Sequence, residues 1–98
     1  MAGHPTGGGN PDGARQNPIP PRHAWAVQAL LDAGCTLVGE TITDEVSLGI
    51  LGENAFEGAP ENPAAPGFVP GGPSPGSASA VAAGPCGTAL AGGVLGAV

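Results

Sequence analysis

One stretch of the sequence, Pro70 to Gly84, combines the residue types that nucleophilic and anion-binding sites use. It reads PGGPSPGSASAVAAG. Gly71 and Gly72 permit positive φ angles and a close backbone approach, and Ser77 is predicted to cap a helix of small residues that ends at Gly84. A loop that runs into a helix N-terminus directs N–H groups at one point, which suits an anion or an oxyanion. The residues alone leave open the alternative of a plain turn followed by a short helix.

Other reactive side chains are scattered and do not form a second site. His4 and His23 have no Cys or His partners at metal-ligand spacing, so no metal site is expected. Asp44 and Glu45 are adjacent, so on a helix they do not share a face as a catalytic acid pair would. They are better explained as acids that stabilise a helix N-terminus.

Composition and charge limit the classes of partner. The 19 glycines and 12 prolines are nearly a third of the 98 residues, and small side chains offer little apolar area for a core. The net charge of −6 argues against nucleic acid and anionic membranes as partners. The N-terminus shows no basic region followed by an apolar one, which predicts a cytoplasmic location in which Cys35 and Cys86 stay reduced.

The order of the predicted elements is typical of an α/β layer. Residues 1–21 read as an irregular arm, 22–51 as helix–strand–helix, and 52–76 as a long Gly/Pro-rich loop. Residues 77–98 are predicted to form a short helix, a strand and an apolar tail. We treat the whole of 1–98 as one partial domain.

Periodicity and turn residues place these elements more closely. Val27 and Leu31 recur on one helix face, which predicts a first helix over residues 22–33. Gly34 is predicted to end it. A buried strand is predicted at Cys35–Val38. A second helix, capped by Thr41 or Thr43, is predicted to run to about Ile50, and a further strand is expected at 86–91.

The pattern PGG-x-S-x-GSAxAVAxG resembles the glycine/serine-rich signature of the amidase signature family. The run AWAVQALLDAGCTLVGETITDE at residues 24–45 and the start AGHPTGGGNPDGARQNP also resemble this family. The resemblance extends over about residues 2–91. It implies that the chain is part of an α/β/α domain.

The resemblance also implies a chemistry, which is amide hydrolysis by a Ser–Ser–Lys triad without cofactors. The chain contains no lysine. The family's bridging serine falls at Pro73 and its nucleophile at Ala97, so Ser74 is the surviving loop serine.

The same resemblance assigns substrate or oxyanion contacts to four residues in two groups, Gly71 and Gly72 in the loop, and Val94 and Gly96 near the end. The implied partner is a small-molecule amide.

The residues and the resemblance together predict a truncated, inactive member of the family. One alternative is an active small-amide hydrolase that is completed by segments outside this chain. A second alternative is a non-enzymatic chain with a membrane-seeking tail, since Ser77–Val98 carries no charge and contains Gly92-x-x-x-Gly96. We also expect self-association, because the chain lacks most of the sheet that its apolar side chains would cover.

Overall fold

The computed structural model describes residues 1–92 as three short α-helices and one 3₁₀ turn joined by loops. Helix α1 spans Pro11–Gln16, α2 spans Trp25–Asp32, and α3 spans Pro75–Ala83. The 3₁₀ turn covers Glu45–Ser47. Within residues 1–92, β-pairing is limited to one isolated antiparallel bridge between Asn54 and Gly58.

Helix α2 confirms the first predicted helix and its end, although it is slightly shorter at both ends. Gly34 adopts a φ of 90°, and its N–H donates to the carbonyl of Leu31 at 3.0 Å. The N–H of Cys35 donates to the carbonyl of Leu30 at 3.0 Å. These two bonds form a Schellman motif, in which a left-handed residue lets the chain satisfy the last helical carbonyls.

The prediction that residues 1–21 are irregular is wrong, because helix α1 lies inside this arm. Pro11 occupies the first turn, where its missing N–H costs nothing. The Oδ1 atom of Asn10 accepts from the N–H of Asp12 at 2.8 Å and caps the helix. The Asn–Pro–Asp–Gly sequence at residues 10–13 is typical of a turn, but here it starts a helix.

The second predicted helix is also wrong, since only the 3₁₀ turn forms. Val46 and Ser47 adopt φ angles of 52° and 54°, which do not continue a right-handed helix. The N–H of Val46 donates to the carbonyl of Gly8 at 2.8 Å instead of to a helical carbonyl. Asp44 takes the capping role predicted for Thr41 or Thr43, and its Oδ1 atom accepts from the N–H of Glu45 at 2.9 Å.

The strands predicted at Cys35–Val38 and at 86–91 are loops in the structure. A strand is stabilised by hydrogen bonds to a neighbouring strand, and neither segment pairs with another one within residues 1–92. Both segments therefore remain loops in the described part of the chain.

Helix α3 begins at Pro75, so the predicted cap Ser77 lies inside the first turn and Ser74 is the N-cap residue. Pro75 starts the helix in the same way as Pro11 starts α1. Gly84 ends α3 with a φ of 88°, as predicted.

The most buried part of the molecule is the start of α3 and the loops around it. No large hydrophobic side chain is buried within residues 1–92. The buried polar residues are Asp44, Asn54, Ser74 and Ser77, and the largest fully buried side chains are Pro73 and Pro75. The buried region therefore consists of hydrogen-bonded polar side chains and prolines, and it is not an apolar core.

Candidate functional site

The glycine/serine-rich loop is held by backbone hydrogen bonds from the preceding segment. Gly71 and Gly72 adopt φ angles of 73° and 74°, as their positions predicted. The N–H of Gly71 donates to the carbonyl of Leu51, and that of Gly72 to the carbonyl of Ile50, both at 2.9 Å. The two N–H groups assigned to an oxyanion are therefore paired within the chain.

Pro73 fixes the middle of the loop through its carbonyl group. That oxygen accepts from the hydroxyl of Thr43 at 2.7 Å and from the N–H of Asp44 at 3.1 Å. Pro73 is fully buried. The position assigned to the bridging serine thus carries a ring without a hydroxyl, and its carbonyl is fixed by two donors.

Ser74 is buried, and its hydroxyl contacts the backbone of Gly92. It donates to the carbonyl of Gly92 at 2.7 Å and accepts from the N–H of the same residue at 3.0 Å. A serine at an N-cap usually bonds to an N–H of its own helix, but Ser74 makes no such capping bond. The hydroxyl has therefore turned from its helix to a segment 18 residues away.

Ser77 makes the equivalent contact one turn further into α3. Its hydroxyl donates to the carbonyl of Leu90 at 2.7 Å. The hydroxyl of Thr41 lies 3.3 Å from the same oxygen, and because Ser77 has already used its one proton, Thr41 is the donor there. Ser74 and Ser77 together hold residues 90–92 against the start of α3.

Asn54 connects three segments of the chain beneath this loop. Its Nδ2 atom donates to the carbonyls of Gly9 at 2.7 Å and Thr43 at 3.1 Å. Its Oδ1 atom accepts from the N–H groups of Phe56 and Glu57 at 2.7 and 2.9 Å. Asn54 therefore ties the N-terminal arm to Thr43, which in turn contacts Pro73.

A cavity of about 610 Å³ lies beside the loop, between α2 and the start of α3. Leu30, Leu31 and Leu90 supply part of its apolar lining, and Thr41 and Ser77 supply hydroxyls. Within residues 1–92, no three His, Cys, Asp or Glu side chains come close enough to hold a metal ion.

The structure brings together the candidate residues Gly71, Gly72, Pro73 and Ser74. Val94, Gly96 and Ala97 lie outside the described residues. Sequence reasoning did not identify Thr43 and Asn54 as the polar partners of the loop. The signal for Asn54 was its place between Gly52 and Gly58, because asparagine often bonds to the backbone N–H groups of a following turn.

Comparison with known proteins assigns this loop to a family. The family model described as Amidase matches residues 2–97. The chain belongs to the amidase family. Membership implies an α/β fold for the whole domain, of which residues 1–92 form helices and loops.

Several amidase-family relatives are about half identical to this chain. Amidase 1 of Oryza sativa subsp. japonica is 53% identical over 83 residues, which are 85% of this chain and 19% of the relative. A glutamyl-tRNA(Gln) amidotransferase subunit from Natronomonas pharaonis is 53% identical over 72 residues, or 74% of this chain and 17% of the relative. Translocon at the outer membrane of chloroplasts 64 of Pisum sativum is 47% identical over 83 residues, or 85% of this chain and 14% of the relative.

The amidase-family chain therefore spans a fifth or less of these relatives' lengths. No solved structure matches it. Among residues 1–92, no helix has the length and apolar character needed to cross a membrane.

Proposed function

We propose that these 98 residues are the glycine/serine-rich segment of an amide-hydrolase fold and do not hydrolyse amides by themselves. The proposal rests on the residues at two positions of the glycine/serine-rich loop. Pro73 replaces the bridging serine, and the hydroxyl of Ser74 is bonded to Gly92 in both directions. No lysine is present in the chain to act as a base.

The size of the expected catalytic defect supports this proposal. Removing one member of a serine triad can lower kcat by about 10⁶. Here Pro73 and Ala97 stand at two triad positions and the lysine is missing, so even a well-formed loop lacks an activated nucleophile. His23 does not supply the base in this structure, because its Nδ1 atom accepts from the N–H of Ala2 at 3.3 Å.

Family membership alone does not choose an activity. The names of the relatives describe an amidase, a translocon component and part of an amidotransferase. The chemistry must therefore be tested on the residues of this chain.

The direct test measures ammonia release from aliphatic and aromatic amides by the 98-residue chain. We expect none, and none from the Pro73→Ser, Ala97→Ser double variant, because the base is still missing. Ammonia release by the parent that disappears in Ser74→Ala would overturn the proposal, whereas release that survives in Ser74→Ala would indicate a contaminating enzyme.

A chimera separates the missing lysine from the missing serines. Residues 1–98 replace the matching segment of the rice Amidase 1, which then supplies the rest of the fold. We expect this chimera to be inactive and the version with Pro73→Ser and Ala97→Ser to release ammonia. Pro73→Ala is the matched control, since it removes the ring without adding a hydroxyl, and activity in the unmodified chimera would contradict the proposal.

We also propose a cytoplasmic location. The net charge of −6 supports it, because an acidic chain is not attracted to anionic membranes. Fractionation of cells that express the chain with a C-terminal tag is expected to recover it in the cytosolic fraction, and recovery with membranes would contradict this location.

A further inference from the structure

We propose that Thr43 and Ser47 are positioning residues, which fix the backbone of residue 73 through a hydroxyl relay from Ser47 to Thr43 to the carbonyl of residue 73. The inference rests on the proposed function, because it takes residue 73 as the position of the bridging serine. It adds two residues from outside the glycine/serine-rich loop to those on which the geometry of the site depends.

The directions of the hydrogen bonds define the relay. Thr43 donates its one hydroxyl proton to the carbonyl of Pro73 at 2.7 Å. The hydroxyl oxygens of Thr43 and Ser47 lie 3.1 Å apart, and because the proton of Thr43 is already used, Ser47 is the donor between them. A hydroxyl that accepts a hydrogen bond becomes a better donor, so Ser47 strengthens the bond from Thr43 to Pro73.

The relay ends on the backbone of the loop and not on a side chain. The N–H of Asp44 donates to the same carbonyl of Pro73 at 3.1 Å, so two neighbouring residues bind one oxygen. Pro73 itself is fully buried. A serine at position 73 would present the same carbonyl to both donors, because the contact involves only the backbone. The relay therefore positions residue 73 whatever side chain that residue carries.

Backbone strain at the other end of the relay supports a role for the Ser47 hydroxyl. Val46 and Ser47 adopt φ angles of 52° and 54°, in the left-handed region that a β-branched residue such as valine avoids. The N–H of Val46 donates to the carbonyl of Gly8 at 2.8 Å, and that of Ser47 to the carbonyl of Asp44 at 2.9 Å. Strain of this kind persists only where surrounding contacts impose it. Here the strained turn brings the Ser47 hydroxyl to Thr43, four residues earlier.

Amide hydrogen exchange of the full 98-residue chain tests the relay at the Asp44 N–H, which shares the carbonyl of Pro73. Thr43→Val keeps the shape of the side chain but removes the hydroxyl. We expect it to speed exchange of Asp44, relative to the intrinsic rate, about tenfold. Thr43→Ser should keep the rate of the parent, because it keeps the hydroxyl. Thr36→Val is the matched control, since Thr36 is exposed and lies outside these bonds.

A double-mutant cycle tests whether Ser47 acts through Thr43. Ser47→Ala is expected to speed exchange of the Asp44 N–H about threefold in the parent. It should have no further effect in Thr43→Val, because the acceptor of the Ser47 hydroxyl is then gone. Ser79→Ala is the control, since the exposed hydroxyl of Ser79 donates to the carbonyl of Glu61.

The chimera with Pro73→Ser and Ala97→Ser tests the consequence for catalysis. Adding Thr43→Val is expected to lower kcat about tenfold and to leave KM within about twofold, because the threonine hydroxyl orients residue 73 and does not touch the amide. Thr43→Ser should keep the activity of this chimera, so the effect would follow the hydroxyl and not the size of the side chain.

Three results would overturn the relay: an Asp44 exchange rate that is the same in Thr43→Val and in the parent, an effect of Ser47→Ala that persists unchanged in Thr43→Val, and a kcat that Thr43→Val does not lower. Failure of the proposed function looks different. Ammonia release by the unmodified chimera, or none from the version with both serines, would count against that function, and the exchange rates would still decide the relay.

Discussion

Helix α2 buries none of its residues, whereas helix α3 buries its first three, Pro75, Gly76 and Ser77. Trp25, at the start of α2, is 85% exposed. The start of α3 and the loop that precedes it, residues 71–77, are instead bonded to three other segments, at residues 41–44, 50–51 and 90–92. Polar contacts thus order the loop, whereas the apolar side chains of α2 are half-buried at Val27, Leu30 and Leu31 and exposed at Trp25.

The largest loss of stability in the loop is expected from Asn54→Ala, because Asn54 joins the N-terminal arm to the loop. Two carbonyls and two N–H groups lose their partner at a site only 6% exposed. The free energy of local opening at the Gly71 and Gly72 amides should fall by about 3 kcal/mol, measured by hydrogen exchange.

Asn62→Ala is the matched control for Asn54. Asn62 makes the same kind of turn, accepting from the N–H groups of Ala64 and Ala65, but it does so at the surface. We expect a loss below about 1 kcal/mol there. Equal losses for the two asparagines would show that Asn54 acts only on its own turn.

The second-largest loss of stability is expected from a substitution at Gly76, where α3 lies close to residues 41 and 42. A Cβ there would lie 2.6 Å from the carbonyl oxygen of Ile42 and 2.7 Å from the Cβ of Thr41. Gly76→Ala should therefore destabilise the loop by about 2 kcal/mol, although alanine is normally the better helix residue. Circular dichroism and exchange at the first turn of α3 measure this loss.

Gly87→Ala serves as the control for Gly76, because a Cβ at Gly87 meets no atom within 4 Å. Its effect should stay within about 0.5 kcal/mol. If Gly76→Ala stabilised α3, the close packing against Ile42 would not exist in solution.

The smallest effect on stability, but a clear one on association, is expected from Trp25→Lys. The exposed apolar side chains predict that the parent self-associates at about micromolar concentration. Replacing Trp25 should weaken association while changing stability by less than about 0.5 kcal/mol, because Trp25 is mostly exposed. Sedimentation velocity of the parent and of the Trp25→Lys variant measures the change in association.

Phe68→Lys is the control for Trp25, since Phe68 is 74% exposed but lies in the long loop. Equal weakening by both variants would mean that association does not centre on α2. A parent that remains a monodisperse monomer would contradict the prediction of self-association.

The sequence predicted the local features of the fold better than the long-range ones. Helix α2, the positive φ angles of Gly71 and Gly72 and the end at Gly84 depend on neighbouring residues, and the structure has them. The second helix failed because the carbonyl of Gly8, 38 positions earlier, takes the N–H of Val46. No local pattern records such a partner.

The candidate site shows the same division. Its serines were visible as a short motif, whereas the bonds from Thr43 to Pro73 and from Asn54 to Gly9 span 30 and 45 residues. A serine before a run of small residues favours Ser77 as the helix cap. In the structure α3 starts earlier, at Pro75, since proline suits the first helical position.

Thr41 and Thr43 place two hydroxyls on one side of a short segment, toward Ser77 and Pro73, with the carbonyl of Ile42 between them toward Gly76. Side chains at alternate positions of an extended segment share a face, so a slip by one residue would bring Ile42 opposite a serine hydroxyl. The two threonines therefore set the register in which the loop docks. We therefore expect the packing of this segment against the loop to tolerate changes of side-chain size at the surface, but not an inserted residue between positions 41 and 43.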